Sequence, residues 1–503
     1  MTRVLVIGAG HNGLMAAIHL AGHGLDVTVL EHAPLPGGAT SASEVTLPGF
    51  IHDHCAAFVP MSAASPAIRE LGLEADGLQW INPSHVLAHP FDDGTAIALD
   101  RDVEATVASL GAAGPGWDAA MKRMLPLSDA LVQSVLSPLP PVRPALRLAA
   151  GLRSDLSEWI RRMLGSVEAL GLDIFDGNTR ATAWLAGSAQ HSGLPPSTTA
   201  SGAFGFLLQL MGHSYGWPLP RGGMGELSGA MVRRAEREGA RIRCSATVSE
   251  LVVRGGRVSG VCLADGEQVD CNAVISTVSA GVLARLVPDQ ALPRGLERRL
   301  RQWRYATGAF KLDYALSAPV PWAASEPRAA AVVHVGGELG ELTAAAQAGA
   351  RGEMPVRPAL VVGQQSLHDP TRAPAGEHTL YVYAHVPPVY EESDEQVAAL
   401  IERQLERFAP GFAGVVRGRA IRSPAQTQRE NPSLVGGDLG GGAYELDQQL
   451  VFRPSPQLAR YGTPIKGLFV GGASTHPGGA VHGLSGRGAA RALLRQRRLV
   501  PWR

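Results

Sequence analysis

Two short, mostly apolar runs stand out in the first thirty positions of the chain. They are residues 3–7, which have one polar residue and lead into Gly8, and residues 26–30, which have two polar residues. Continuous apolar runs of this length are typical of strands that are buried on both faces of a parallel sheet. Residues 14–20 lie between them and lack turn formers, which favours a helix that ends at Gly22 or Gly24. The pattern therefore predicts a strand–helix–strand unit.

Two later regions repeat this alternation. In the middle of the chain we expect a helix over Ser228–Glu238, a strand over 239–244, a hairpin formed by 247–253 and 257–263, and a strand over 273–277. At the end we expect a strand over 467–473 and a helix from about Leu484. These elements can extend the same parallel sheet.

The segments between these regions have a different pattern of apolar and polar residues. Residues 86–89 and 95–99 flank a turn signal, and residues 103–211 are mostly helical in pattern apart from a Pro-rich break at 137–144. Strands are expected at 308–316, 329–335, 358–364 and 378–385, and a helix at 391–408. A sheet with helices over it suits a cover for an apolar pocket.

A glycine-rich loop joins the first strand to the first helix. Gly8, Gly10 and Gly13 have the G-x-G-x-x-G spacing. The first glycine permits a tight turn, the second lets the backbone approach a pyrophosphate, and the third lets helix and strand pack closely. The helix start offers unpaired N–H groups to the phosphates, and Glu31 closes the second strand, where a carboxylate can bind ribose hydroxyls. We therefore predict a dinucleotide site.

Composition narrows the classes of protein. Of the 503 residues, 45% are hydrophobic and 18% are charged, and 45 basic residues balance 45 acidic ones. This excludes a disordered chain and argues against a nucleic-acid partner, which would favour a basic excess. The four cysteines lack metal-ligand spacing, so we expect no metal centre and a reduced, cytoplasmic compartment. No run of 18 apolar residues occurs, so we expect no membrane-spanning helix.

A second glycine pair distinguishes between nucleotide cofactors. Gly37 and Gly38 follow the second strand closely. A fingerprint for NAD does not need this pair, whereas FAD is longer and must pass the second strand, where a close backbone approach is useful. The spacing therefore favours FAD over NAD.

The residues around this pair resemble a known family. Glu31 followed by Gly37-Gly38, then Pro48-Gly49-Phe50 and Asp53, resembles the phytoene desaturase branch of the flavin monoamine oxidase-like superfamily. That branch includes carotenoid desaturases, a carotenoid isomerase type, and flavoproteins of the pyridine nucleotide-disulfide oxidoreductase domain-containing 2 type. Many members carry a basic residue where this chain has Ala39.

Two further segments carry the same resemblance. The loop 472–483 is similar to the family's C-terminal FAD motif, although Ala480 and His482 stand where the family often has glycine and proline. The glycines of 221–225 are similar to the family's approach to the flavin, and the backbone at Val248 would meet the adenine. Three blocks in this order cover about 40% of the chain and oppose a simple NAD dehydrogenase.

Together, the pattern and the resemblance imply an α/β fold. A discontinuous Rossmann-type FAD-binding domain would comprise residues 1–75, 221–285 and 455–503. An α+β substrate-binding domain of sheet plus helices would comprise residues 76–220 and 286–454. The residues expected to bind FAD are Gly8, Gly10, His11, Asn12, Gly13, Glu31, Gly37, Gly38, Ala39, Thr40, Gly222, Gly223, Met224, Val248, Gly472, Gly479, Ala480 and Val481.

Catalytic side chains are the least visible part of the site. The candidates are His482, which can point at the substrate, Tyr215, which can wall the flavin pocket, and Arg304. Arg304 precedes a strand that we expect to face the cavity together with Tyr305 and Lys311. The alternative for each candidate is an ordinary loop, core or surface residue.

A pair of histidines flanks the family's acidic residue. His52 and His54 flank Asp53 and would share one face of a strand. We favour a hydrogen-bonded structural pair over a metal site because no third ligand is identifiable. Asp53 has a structural role or a catalytic one.

These features predict an FAD-dependent oxidoreductase that takes a hydride from a C–C or C–N bond of a small organic substrate to flavin N5. An apolar substrate is one option, and scattered histidines, His191, His213, His334 and His385, keep a polar one open. Oxygen or a quinone is the acceptor that the family implies. Two alternatives stay open: a redox-silent double-bond isomerase, and a flavin-binding interaction protein without turnover.

The C-terminal residues 491–503 combine arginines with apolar residues, among them Trp502. Such a tail can contact an anionic membrane surface peripherally. It can equally be a final helix whose cations suit its C-terminal dipole. The sequence does not indicate an oligomeric state.

Overall fold

A computed structural model describes residues 2–499 of the chain, with side chains to residue 497. The strands are β1 Arg3–Ile7, β2 Asp26–Leu30, β3 Ala42–Glu44, β4 Ile51–Asp53, β5 Trp80–Ile81, β6 His85–Pro90, β7 Ala96–Asp100, β8 Leu219–Pro220, β9 Arg241–Arg243, β10 Val248–Arg254, β11 Arg257–Leu263, β12 Gln268–Asp270, β13 Ala273–Ser276, β14 Gly308–Leu316, β15 Val332–Val335, β16 Leu360–Gly363, β17 His378–Val386, β18 Val416–Arg422 and β19 Leu468–Val470.

The helices connect these strands and cover the sheets. They are α1 His11–Ala21, α2 Pro60–Ala64, α3 Pro66–Leu71, α4 Val103–Leu110, α5 Gly114–Met124, α6 Ser128–Leu136, α7 Val142–Leu152, α8 Leu156–Leu164, α9 Val167–Phe175, α10 Thr179–Ala189, α11 Ser201–Ser214, α12 Met224–Arg237, α13 Ala280–Leu286, α14 Arg294–Arg301, α15 Leu339–Ala350, α16 Asp394–Phe408, α17 Phe412–Val415, α18 Pro424–Glu430 and α19 Leu484–Leu499.

One sheet is parallel and has five strands in the order β19-β13-β1-β2-β9. Successive residues of β1 serve opposite faces. Val4 and Val6 pack with α1, α12 and α19, whereas Leu5 and Ile7 pack with the β10–β11 hairpin and α13. Because both faces are covered, the strands β19, β13 and β1 are almost entirely apolar, whereas the edge strand β9 has two arginines. The chain leaves β1 for β2 on one side while β13 lies on the other, so the carboxyl end of β1 is a topological switch point.

The second large sheet is mixed and has seven strands in the order β18-β14-β17-β16-β15-β6-β7. Its longest pair, β14 and β17, is antiparallel, with Lys311 opposite Tyr383 and Asp313 opposite Tyr381. One face packs against α16 through residues such as Phe310. The other face, which carries the two tyrosines, packs against α10 and α11.

The structure confirms the predicted α/β class and most of the predicted elements, with differences at their bounds. Helix α12 begins at Met224 and not at Ser228, because the Asp53 carboxylate accepts a hydrogen bond from the Met224 N–H at 2.7 Å. Helix α1 likewise begins at His11, directly after the glycine loop. Helix α15 and strand β18 were not predicted, since the first is rich in Ala and Gly and the second is rich in Arg.

The C-terminal helix bears on the membrane hypothesis. α19 continues to Leu499, and the tail residues 500–503 lie outside the described residues. No helix within the described part of the chain is long and apolar enough to cross a bilayer.

Candidate active site

The loop after β1 is shaped by glycines at its first and last positions. Gly8 has a φ of 97°, and a Cβ on Gly13 would lie 1.8 Å from the Gly8 carbonyl oxygen. Gly10 differs, because a Cβ there would meet nothing closer than the Gly37 carbonyl oxygen, at 3.9 Å. The loop is therefore closed against the protein at Gly8 and Gly13 and open at Gly10, where backbone can face a ligand.

Glu31 lies beside this loop and is buried. Its Oε2 accepts a hydrogen bond from the Ala9 N–H at 2.6 Å, and its Oε1 accepts one from the Ala33 N–H at 2.9 Å. Its carbonyl oxygen accepts a hydrogen bond from the Ala246 N–H at 2.7 Å. This last contact places Ala246, two residues before the start of β10 at Val248, against the Glu31 backbone. The structure thus joins two segments with predicted site residues that are far apart in sequence.

The second glycine pair packs against the first loop. The Gly37 N–H donates to the Ala9 carbonyl oxygen at 3.0 Å. The Thr40 hydroxyl donates to the Gly37 carbonyl oxygen at 2.7 Å, and the Ser228 hydroxyl donates to the Thr40 carbonyl oxygen at 2.5 Å. Gly37 through Thr40 is therefore held between the first loop and α12.

A third loop, residues 472–483, reaches the same place from the C-terminal part of the chain. A Cβ on Gly486, in the first turn of α19, would lie 1.8 Å from the Asn12 carbonyl oxygen. The starts of α1 and α19 therefore touch, and the first turn of each helix has N–H groups without partners inside the helix. Ala480 in this loop has a φ of 106°, which is costly for a residue with a Cβ and is typical of functional sites.

His482 does not point at a substrate chamber, which corrects the sequence-based expectation. Its Nδ1 accepts a hydrogen bond from the Leu484 N–H at 3.1 Å, so its Nε2 donates to the Gly478 carbonyl oxygen at 3.1 Å. Both ring nitrogens are thus used within the loop, where His482 caps α19. Burial lowers the pKa of His482 to about 3 and that of His11 to about 4, so both rings are neutral at pH 7.

Arg453 supports the third loop, and it belongs to a Gly-rich segment, residues 431–454, that resembles one reaching the flavin in related sequences. Its side chain is fully buried, with Nε donating to the Ala473 carbonyl oxygen at 3.0 Å and Nη2 donating to the Gly440 carbonyl oxygen at 2.7 Å. A Cβ on Gly441 would lie 2.7 Å from the Cβ of Ala473. The glycines before Arg453 therefore let this segment pack directly on the loop.

The predicted segment Gly222–Met224 donates hydrogen bonds to two carboxylates, one of which belongs to a buried ion pair. The Gly222 N–H donates to the Asp369 carboxylate at 2.7 Å, and Asp53, which caps Met224, pairs with Arg372 at 2.6 Å. Arg372 is 1% exposed, and its Nη1 has no hydrogen-bond partner among the described residues. Arg372 and Asp369 were missed because they follow β16, far from any motif.

The paired strands β14 and β17 present a second group of side chains to this region. Lys311 forms an ion pair with Asp313, and its Nζ lies 4.4 Å from the ring centroid of Tyr381. The Tyr381 hydroxyl donates to the Cys55 carbonyl oxygen. Burial lowers the pKa of Lys311, and the neighbouring carboxylate opposes that shift. The prediction that Lys311 faces inward from the sheet agrees with this burial.

Further along the same face, Tyr383 begins a chain of buried polar rings. Its hydroxyl lies 3.1 Å from His191 Nδ1, and His191 Nε2 lies 3.0 Å from His334 Nε2. The Trp217 ring lies 5.6 Å from that of His191. Burial lowers the pKa of His191 to about 3. These rings form an uncharged wall that sequence spacing alone could not assemble.

Two other candidates lie apart from this wall. Arg304 pairs with Asp447 at 2.8 Å and is about half exposed, so it does not face the cavity as expected. The Tyr215 hydroxyl donates to Asp129 at 3.3 Å, and Tyr215 packs near the helices of the parallel sheet. Neither side chain joins the tyrosine and histidine cluster, because an acidic partner near each one orients it elsewhere.

The histidines beside Asp53 also separate. β4 ends at Asp53, so His54 leaves the strand and binds Ser41 and Ser43, at 3.0 and 2.6 Å. His52 binds Thr46 at 2.8 Å and lies 3.4 Å from Asp313. They are hydrogen-bonded to different partners and do not form one pair. Among the described residues, no group of three or more potential ligands could hold a metal ion.

Comparisons with known proteins agree with this architecture. A family model described as flavin containing amine oxidoreductase matches residues 13–494. Pyridine nucleotide-disulfide oxidoreductase domain-containing protein 2 of Rattus norvegicus is 29% identical, over 98% of this chain and 93% of its own. Hydroxyneurosporene desaturase of Rhodobacter capsulatus is 29% identical, over 99% of this chain and 98% of its own. The structure of putrescine oxidase bound to putrescine superposes with a TM-score of 0.63 at 16% identity, over 99% of this chain and 98% of that one.

Proposed function

Because the chain belongs to the family of flavin-containing amine oxidoreductases, we propose that it is an FAD-dependent dehydrogenase for neutral, largely apolar substrates. The observation that carries the proposal is the uncharged wall of Tyr383, His191 and Trp217. Asp53 and Asp313 are each paired with a buried cation, and the buried Asp369 carboxylate accepts hydrogen bonds from a backbone N–H and a hydroxyl. All three carboxylates therefore have partners within the protein, which disfavours an ammonium group beside them.

The residues around the glycine loops fit FAD. The open backbone at Gly10 suits a pyrophosphate, and the buried Glu31 carboxylate suits ribose hydroxyls. Two buried polar atoms, His11 Nε2 and Arg372 Nη1, have no partner among the described residues. Such atoms are costly unless a ligand or water pairs with them. FAD is the cofactor of this family, and when bound it supplies the hydride acceptor.

The proposed cofactor contacts follow the sequence-based assignment. Gly8 through Gly13 and Glu31 would hold the adenine half of the cofactor. Gly37 through Thr40 would contact the part that connects the adenine half to the flavin half. Gly222 through Met224 and Gly472 through Val481 would hold the flavin half. The proposed FAD-binding domain therefore retains residues 1–75, 221–285 and 455–503, with the remainder binding substrate. The two helix starts at His11 and Leu484 supply N–H groups that stabilise anionic oxygens.

The protein's part in the reaction is to position the substrate and to exclude water. Tyr381 and Tyr383 lie side by side, with ring centroids 5.8 Å apart, and both are buried. Burial raises the pKa of Tyr383, so its hydroxyl keeps its proton at pH 7 and stays hydrogen-bonded to His191. A buried, neutral surface of this kind favours a substrate without charge.

The relatives differ in what their names say they act on. The Rhodobacter capsulatus protein is a hydroxyneurosporene desaturase and is 29% identical to this chain. The putrescine oxidase binds putrescine, an amine, and is 16% identical. The uncharged wall makes the desaturase the better guide, so the bond oxidised is proposed to be C–C. Reoxidation by oxygen or a quinone belongs to the same proposal.

The test is an anaerobic titration of the purified holoenzyme, followed through its flavin absorbance. Terpenoid hydrocarbons and alcohols form one arm of the panel, and primary amines form the other. Bleaching by the neutral arm, with recovery on adding air or a quinone, supports the proposal. Bleaching by amines alone contradicts it. Double-bond movement in the product without bleaching, seen only after prior reduction, would identify the isomerase alternative.

A further inference from the structure

Helix α7 and the residues before it form a basic stretch outside the candidate site. Residues 130–154 contain three arginines and no acidic residue, although basic and acidic residues balance over the whole chain. The Pro-rich residues 137–144 lie within this stretch and include the connection from α6 to α7. Closely spaced prolines make a connection stiff. The stretch is therefore locally basic and holds α7 in a defined direction.

Helix α7 has apolar residues on two of its faces. On the inner face, Leu152 is buried, and a Cβ on Gly151 would lie 2.3 Å from the Leu127 side chain. On the outer face, Val142 and Leu146 lie one turn apart and are 55% and 63% exposed. A helix on the surface of a globular protein needs one apolar face for folding. Folding therefore does not account for the outer pair.

Two arginines run alongside this outer pair. Arg143 and Arg147 are exposed, and neither has a hydrogen bond or an ion pair among the described residues. The next helix differs, because Arg161 and Arg162 of α8 both pair with Glu158, at 2.6 and 3.0 Å. Helix α7 itself contains no acidic residue. Its outer face thus combines unpaired cations with exposed apolar side chains.

This combination favours a lipid bilayer as the partner of α7. The apolar row and the basic row lie about 100° apart around the helix axis, so a helix lying in the plane of a membrane presents both rows. Apolar side chains then enter the acyl boundary, while arginine side chains reach the headgroups. A second copy of the chain docked symmetrically through the same face would set arginine against arginine.

The connection to α7 also contacts the third loop of the candidate site. The His476 ring lies with Nε2 2.8 Å from the Ser137 carbonyl oxygen, so Nε2 donates to that oxygen. His476 belongs to the loop 472–483, and only residues 138–141 separate Ser137 from α7. Val142 therefore lies within about 18 Å of this contact.

We propose that the outer face of α7 is a docking surface for an anionic lipid bilayer. Val142 and Leu146 enter the apolar boundary, and Arg143 and Arg147 bind the phosphate groups of acidic lipids. This surface is separate from the C-terminal tail, for which the sequence suggested a membrane contact. Docking places the third loop near a reservoir of apolar molecules, and it does not depend on the proposed function.

The test measures flotation of the holoenzyme with phosphatidylcholine vesicles that contain either no acidic lipid or about one-third phosphatidylglycerol. The wild type should bind the acidic vesicles at least about tenfold more tightly, and this difference should shrink at high salt. Arg143→Gln combined with Arg147→Gln should weaken binding to the acidic vesicles about tenfold or more. Val142→Gln combined with Leu146→Gln should weaken it to a similar extent, about tenfold.

Leu446→Gln is the matched control for the apolar pair. Leu446 is 43% exposed, but it lies between Glu445 and Asp447, so this variant should bind vesicles as the wild type does. Trp502→Gln alters the C-terminal tail and should also retain binding. Flavin content and thermal unfolding of each variant report on folding.

The contrary results are specific. Equal binding to both kinds of vesicle, binding that survives both double variants of α7, or no binding at all would each overturn the docking surface. Loss of binding in Trp502→Gln alone would move the contact to the tail. Self-association that the α7 variants abolish, without binding to vesicles, would assign this face to a second copy of the chain instead.

Discussion

Two regions of the molecule make the candidate site from different kinds of atoms. The parallel-sheet region, which is the five-stranded sheet with its three glycine loops, presents mainly backbone, and its side chains hold that backbone in place. The mixed-sheet region, which is the seven-stranded sheet with α10, α11 and α15, presents buried tyrosine and histidine side chains. A common cofactor can be bound by shared backbone geometry, whereas a particular substrate requires particular side chains.

The largest expected effect is a loss of stability in the parallel-sheet region. Gly13→Ala places a Cβ 1.8 Å from the Gly8 carbonyl oxygen, so β1 and α1 must separate. We expect the free energy of unfolding to fall by more than about 4 kcal/mol, measured by urea denaturation or seen as loss of soluble protein. Gly24→Ala is the control, because space there is open although φ is 75°, and it should cost only about 1 kcal/mol. Equal behaviour of the two variants would contradict the close approach.

The next effect concerns the ion pair that joins the two regions. Arg372→Met leaves Asp53 charged and buried without its cation, which should lower the free energy of unfolding by about 3–5 kcal/mol. Arg351→Met removes a surface pair with Glu353 and should leave stability nearly unchanged. Chemical denaturation of both variants checks the prediction. Similar stabilities would mean that the buried pair does not tie the regions together.

Acid should weaken the mixed-sheet region through its histidines. Burial lowers the pKa of His89 and of His385 to about 4, and that of His191 to about 3, whereas unfolded histidine titrates near about 6.5. The unfolded chain then binds more protons below that value. The free energy of unfolding should fall by about 1.4 kcal/mol per pH unit for each such histidine between about pH 6 and 4.

Urea denaturation across that pH range measures this slope. In His191→Gln the free energy of unfolding should depend less steeply on pH. The expected difference is the contribution of one histidine, about 1.4 kcal/mol per pH unit. His32→Gln, at an exposed position, is the matched control. An unchanged slope in His191→Gln would show that this ring is protonated in the folded protein.

The smallest expected effect concerns the carboxylate at the end of β2. Glu31→Gln retains one oxygen for the hydrogen bond from Ala9 or Ala33 but loses the charge that favours ribose hydroxyls. FAD affinity should fall about tenfold, or about 1.4 kcal/mol, with the spectrum of the bound flavin unchanged. Equilibrium dialysis measures the affinity. Unchanged affinity would exclude Glu31 from the ribose site.

The same contrast explains what the sequence could predict. One contiguous stretch of the chain forms β1, the glycine loop, α1, β2 and Glu31. A local pattern therefore predicts these elements, and the spacing of the glycines and Glu31 indicates a dinucleotide site. The hairpin at β10 and β11 and the strand β14 were also predicted from local alternation. These elements follow from backbone propensities and from burial on both faces of a sheet.

The rest depends on contacts between distant segments. His191 and His334 are 143 positions apart, and Asp53 and Arg372 are 319 positions apart, so no spacing joins them. His482, Tyr215 and Arg304 were chosen for their residue type and place in the chain. Their hydrogen bonds to Gly478, Asp129 and Asp447 are tertiary facts that decide where these side chains point.

The parallel-sheet region is expected to bind the cofactor and the mixed-sheet region the substrate. The most direct test of this division is the FAD content of two variants, read from the same absorbance spectrum. Gly10→Val fills the open backbone of the first loop, and Gln190→Leu alters the far end of the mixed-sheet region. Gly10→Val should give colourless but folded protein, and Gln190→Leu should retain full FAD content. Full occupancy in Gly10→Val, or equal loss in both variants, would contradict this division.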